Sequence, residues 1–106
     1  MENFKITIYD IDWSIRVVSK DDPRLEGNND GICLYNDKTI LVRDDLQYDV
    51  AYRVLIHEII HAILCCQGRW AQKTFSQEEM CEFYAFTYHI VGKIMQSLGG
   101  IFYENK

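Results

Sequence analysis

The chain has 106 residues and a mass of 12.5 kDa, which is room for one domain around one modest core. Hydrophobic residues at 48%, charged residues at 25%, six Gly and one Pro exclude a disordered, collagen-like or low-complexity chain. A formal net charge of −5 would repel a phosphate backbone, which excludes sequence-independent nucleic-acid binding.

The first third has the period of strands. From Phe4 to Tyr9 the residues alternate, with Phe4, Ile6 and Ile8 on one face and Lys5, Thr7 and Tyr9 on the other. Asp10-Ile11-Asp12 is the expected turn, and Trp13 to Val18, rich in β-branched and aromatic residues, the second strand. Ser19 to Asp30 holds the single proline, Pro23, with Gly27 and Asn28-Asn29, and is expected to be a loop. Gly31 to Tyr35 and Thr39 to Arg43 follow as two strands joined through Asn36-Asp37-Lys38. The expectation is a small antiparallel or mixed sheet of about four strands, with a hairpin in each pair.

The second half changes period. Leu46 to Gln67 has a helical pattern, with Asp44 or Asp45 as the expected N-cap and Gly68 as the stop. Between Val54 and Cys66 apolar residues occupy almost every angle, as in a helix enclosed by the rest of its domain. After a loop from Gly68 to Phe75, Ser76 and Glu79 form a capping box for a second helix. That helix runs to about Leu98 and ends at Gly99-Gly100, ahead of a short tail, Ile101 to Lys106. One α+β domain over residues 1–106 is the resulting fold class.

No run of 18 apolar residues suits a membrane span, so no membrane partner is expected. Met1-Glu2-Asn3-Phe4-Lys5 lacks the basic start and apolar stretch of a signal peptide, which makes the cytoplasm the expected compartment. Cys33, Cys65, Cys66 and Cys81 contain no C-x-x-C pair and sit among apolar neighbours, as buried free thiols do. Trp13 and Trp70 are expected to be packing residues.

Chemistry concentrates in the first helix, at His57-Glu58-Ile59-Ile60-His61. Residues i and i+4 share one helical face, so His57 and His61 can reach one metal ion. Glu58 is turned about 100° from His57, beside the metal rather than on it, where a carboxylate can act as general base towards water. Imidazole ligands and this spacing point to Zn2+, which would keep an open position for water and lower its pKa. Glu58-x-x-His61 is also half of a di-iron motif, but the other half is missing: His89 has Phe86 three residues before it.

The third ligand must come from elsewhere, and Glu78, Glu79 and Glu82 cluster at the start of the second helix. Cys81, Ala85 and Gly92 form a stripe of small residues along which another helix could approach. Glu78 extends this stripe, and Glu82 lies beside it. Glu79 faces the other way and is accounted for by the capping box. The reading is Glu78 as metal ligand and Glu82 as a carboxylate orienting a ligand histidine.

Leu55-Ile56-His57-Glu58-Ile59-Ile60-His61-Ala62, followed by Glu78-Glu79-Met80-Cys81-Glu82-Phe83-Tyr84-Ala85, resembles the gluzincin metallopeptidases. The closer resemblance is to the small phage-type branch related to the ImmA/IrrE metallopeptidases and the minigluzincins. It implies a minimal zincin-like domain, in which a short sheet precedes an active-site helix and a glutamate helix. Glu78 falls on that family's ligand position and Glu82 on its outer position. The resemblance further implies a substrate-binding edge strand, best matched by Gly31, Ile32, Cys33, Leu34 and Tyr35, on which a peptide adds as an antiparallel strand. For the oxyanion, the chain offers His89, Tyr84, Tyr88, Tyr35 and Tyr103, and spacing selects none of them.

The expected function is therefore a zinc-dependent metallopeptidase hydrolysing a peptide bond in a cytoplasmic protein or peptide, with Glu58 as general base. The alternative is a non-catalytic interaction protein of a phage or mobile element in which zinc is a structural clamp. A third expectation is a mobile-element component that cuts only once a partner activates it. The apolar tail Ile101-Phe102-Tyr103 is expected either on the core or across the cleft.

Overall fold

A computed structural model describes residues 3–69 and 74–98. Four strands, β1 (Asn3–Ile8), β2 (Ile11–Val18), β3 (Gly31–Leu34) and β4 (Thr39–Arg43), precede two helices, α1 (Tyr48–Cys66) and α2 (Gln77–Leu98). The strands form one mixed sheet in the order β1-β2-β4-β3. Both expected hairpins are antiparallel, and β2 runs parallel to β4 in the centre. That parallel pair needs a crossover, which residues 19–38 supply together with β3. Strand β3 is thereby left at an edge.

The first turn falls earlier than its sequence suggests. Ile8 pairs directly with Ile11, so Tyr9-Asp10, not Asp10-Ile11-Asp12, is the loop. Both loop residues have positive φ, 50° and 66°. A two-residue turn of this hand matches the twist of the strands, and that match outweighs the discomfort of a left-handed tyrosine. The strand exit after β3 also comes one residue early. Tyr35 belongs to the turn, where its carbonyl accepts from the Lys38 amide at 3.3 Å and the Lys38 Nζ at 2.9 Å.

The sheet has apolar residues on both faces. Ile6, Ile8, Trp13, Ile15, Cys33, Ile40 and Val42 point to the helices and meet Leu55, Ile59, Ala62 and Ile63 of α1. On the opposite face Val18 and Leu41 are sealed by Leu25, with Ile32 and Leu34 at the margin. Leu25 sits in a single 3-10 turn, Pro23–Leu25, inside the expected loop. Asp22 caps that turn, accepting from the Arg24 amide at 2.9 Å and from its guanidinium at 2.7 Å. The Arg24 hydrogen bonds hold the Asp22 carboxyl at about 2.

The N-cap of helix α1 is Gln47, which makes no side-chain cap, so neither Asp44 nor Asp45 is the N-cap. Asp45 is engaged elsewhere: Arg43 donates to both of its oxygens at 2.9 and 2.7 Å and to Asp30 at 3.0 Å. This arginine ties the end of β4 to the residue before β3. Gly68 ends the α1 segment with φ +73°, a conformation that suits a residue without Cβ. The helix is less enclosed than its composition suggests. Its sheet face is buried, whereas Ile56, Ile60 and Leu64 are half-buried and His57 is exposed.

The capping box of α2 is formed: Ser76 Oγ accepts from the Glu79 amide at 3.1 Å, and Glu79 accepts from the Ser76 amide at 3.0 Å. Its packing face differs from the small-residue expectation. Phe83, Thr87, Ile90, Val91, Ile94 and Met95 are buried or half-buried, while Cys81, Ala85 and Gly92 are exposed. Burying large apolar side chains outweighs close backbone approach in a domain with so small a core. All four cysteines are free thiols, Cys33 buried and Cys81 exposed. Trp13 is in the core as expected; Trp70, Gly99-Gly100 and the tail lie outside the described residues. No helix among the described residues is long and apolar enough to cross a membrane.

Candidate metal centre and active site

The site is built where α1 crosses edge strand β3. Gly31, the first residue of β3, makes the crossing close: a Cβ there would stand 2.6 Å from Val54 Cγ1 and 2.9 Å from the Leu41 carbonyl oxygen. The same atom would be 3.4 Å from Glu58 Cγ, so Glu58 lies directly beneath the head of the strand. Only glycine lets helix and strand come this near. The Arg43–Asp30 ion pair fixes the residue before it.

His57 and His61 lie one turn apart on α1, with Nε2 atoms 3.2 Å from one another and rings nearly perpendicular. Two ligand nitrogens at ordinary bond length from one tetrahedral zinc stand about 3.3 Å apart, so the pair fits two corners of such a site. Without metal, the same separation lets one ring donate a hydrogen bond to the other. The other nitrogen of His61, Nδ1, is 3.3 Å from the Tyr35 hydroxyl. A partner on the remote nitrogen fixes ring orientation, which is how ligand histidines are commonly held.

Glu58 is 7% exposed, the only charged residue in the described core. Burial pushes its carboxyl up, opposed by the nearby charge of His57. Burial also pushes the His61 imidazole down, and repulsion from His57 adds to it. Both shifts favour neutral forms, which suits a histidine that ligates and a carboxyl that exchanges a proton.

Clefts open on both sides of the Gly31–Glu58 contact. One of about 350 Å3 is lined by Asp30, Val50, Arg53, Val54 and His57, and another of about 340 Å3 by Asn29, Ile32, Cys33, Tyr35 and His61. Gly31 and Glu58 line both, so the two clefts flank that contact at the edge strand.

Sequence-predicted residues separate into two sets. His57, Glu58, His61, strand β3 and Tyr35 just past it come together. Glu78 and Glu82 are exposed on α2, and the described residues contain no group of three or more His, Cys, Asp or Glu placed to hold a metal ion. Glu79, between them, meets Arg69, just past α1, at 3.3 Å. Among the oxyanion candidates, Tyr84, Tyr88 and His89 are exposed on α2, Tyr103 lies outside the described residues, and Tyr35 alone touches a motif histidine.

Gly31 and Tyr35 were both named from the sequence as edge-strand residues, but their contacts with α1 were not. Tyr35 and His61 are far apart in the chain, and no spacing rule connects them. Gly31 carried a signal, a glycine heading an otherwise apolar strand, which reads as close backbone approach. No family model, curated protein or solved structure matches the chain.

Proposed function

We propose that the chain is a zinc-dependent metallopeptidase that hydrolyses a peptide bond in a cytoplasmic protein or peptide. The observation that carries this reading is the convergence of His57 and His61 Nε2 at 3.2 Å beside the buried Glu58, under an edge strand. His57 and His61 would hold the zinc with a carboxylate from the first turn of α2. Glu78 is the residue the resemblance selects, and Glu79 is its neighbour on the Arg69 side. Bound there, zinc would supply a Lewis acid that polarises the scissile carbonyl and acidifies water.

The chain's own residues do the rest. A peptide adds to the outer edge of β3 as a strand, with its side chains in the clefts on either side of Gly31. Glu58, whose carboxyl is pushed up by burial, takes a proton from water and delivers it to the leaving amine. Tyr35 holds the His61 ring through Nδ1.

The test is metal content and hydrolysis of a peptide library, measured on the wild type and on His57→Ala, Glu58→Gln, Glu78→Ala and Glu79→Ala. One zinc per chain, lost in His57→Ala and in one glutamate variant, is expected. Hydrolysis should vanish in Glu58→Gln with zinc and fold retained. Folded protein that takes up no zinc would overturn the reading. Zinc binding with no hydrolysis to lose would leave the alternative, an interaction protein with a structural zinc, which the exposed aromatic residues of α2 support.

A further inference from the structure

The most exposed large apolar side chains among the described residues lie on α2. Tyr84, Phe86 and Tyr88 are 66%, 64% and 69% exposed, and the two tyrosine rings stack at 5.8 Å. Scattered exposed apolar residues need no explanation, but three aromatic rings within five residues of one helix do.

Their arrangement around the helix is ordered. At about 100° per residue, Ala85 and Gly92 lie along the middle of the outward face, with Cys81 close beside them. Tyr84 and Tyr88 stand on one flank of this seam. Glu78, Glu82, His89 and Lys93 stand on the other, acidic towards the N-terminus and basic towards the C-terminus. We propose that this face pairs with a second copy of the chain, α2 against α2, antiparallel about a twofold axis near Ala85.

The face is self-complementary in that register. Placing Glu82 of one copy opposite His89 of the other also places Glu78 opposite Lys93. Tyr84 then meets Tyr88 on the opposite flank, and Cys81 comes level with Gly92 along the seam. Small seam residues let the helices approach to about 8 Å, the near limit for packed helices. A parallel pair would instead set the charged flank of one copy against the tyrosine flank of the other. Tyr84 and Tyr88 leave about 200–300 Å2 of aromatic surface uncovered in each copy, which an isologous pair covers twice, while Phe86 stays outside the contact on the charged flank.

The pairing shares only Glu78 with the proposed zinc site. Zinc ligation through Glu79 leaves both polar contacts in place, and ligation through Glu78 leaves the Glu82–His89 contact.

Sedimentation of the full chain from about 1 μM to about 1 mM tests it. A monomer–dimer equilibrium is expected, with dissociation raised at least about tenfold by Ala85→Arg, an exposed change that leaves the helix intact. Lys93→Glu, which turns an attractive contact into a repulsive one, should weaken it in the same direction. Orientation is read from Gly92→Cys, where a Cβ meets nothing within 4 Å. Cys81 lies about 16 Å from position 92 in its own helix, beyond disulfide reach, so mild oxidation must link two copies. A chain monomeric throughout, a dimer indifferent to Ala85→Arg, or a monomer that pairs only after residues 99–106 are removed would each overturn the proposal.

Discussion

The two helices bury different proportions of their surface, and the contrast separates what fixes a site from what fixes a surface. Helix α1 is laid on the sheet at Gly31 with no room for a single extra carbon, and its motif residues inherit that rigidity. Helix α2 buries one face through Phe83, Thr87 and Ile94 and leaves its other face, aromatic rings included, in solvent. Groups that must converge within a few tenths of an ångström belong on the first kind of element. The second kind is available for association, because little would have to rearrange.

The sharpest way to break the contrast is truncation on each helix. Leu55→Ala removes a fully buried side chain and should cost about 2–5 kcal/mol. Tyr84→Ala at low micromolar concentration should stay within about 0.5 kcal/mol of the wild type. Urea denaturation followed by circular dichroism reads both, and equal losses would mean that α2 is covered on both sides. Adding one carbon is the converse. Gly31→Ala forces backbone and Val54 apart and should destabilise by about 1–3 kcal/mol, with weaker metal binding. Gly92→Ala meets nothing and should stabilise the chain by about 0.4–1 kcal/mol.

Removing the α2 capping box by Ser76→Ala should cost about 1 kcal/mol, read in the same denaturation experiment. The cysteines give the finest comparison. Cys33 is buried beneath the helices, and burial pushes its thiol up to about 12, with a smaller contribution from the nearby Glu58 charge. Its folded pKa exceeds the unfolded one, so the neutral thiol's stabilisation is complete below about pH 9 and is lost as pH rises towards 12. Wild type should therefore lose stability in that window relative to Cys33→Ala. Native-state alkylation near pH 8, resolved by mass spectrometry, should label exposed Cys81 first and Cys33 last.

Much of the fold was legible because its signals are local. Alternation at Phe4–Ile8, β-branched residues at Thr39–Arg43, the Ser76–Glu79 box and Gly68 each act through neighbours in the chain, and the strands and helices stand where these residues set them. The boundaries that moved did so through contacts between segments. Asp45 caps no helix because Arg43 holds it, and the first turn shifted because Ile8 had to pair with Ile11.

The chemistry divides along the same line. By itself the sequence determined that His57 and His61 share a helical face with Glu58 beside them, since helical periodicity alone decides it. It also determined the four strands, the two helices and the pairing within each hairpin. Only the tertiary structure decided that β2 and β4 run parallel, which puts β3 at the edge above the motif. It alone brought Tyr35 to His61, and it alone turned Phe83 rather than Ala85 towards the core. A helix can be read from its own residues, but which side of it is covered depends on the apolar area offered by the rest of the molecule.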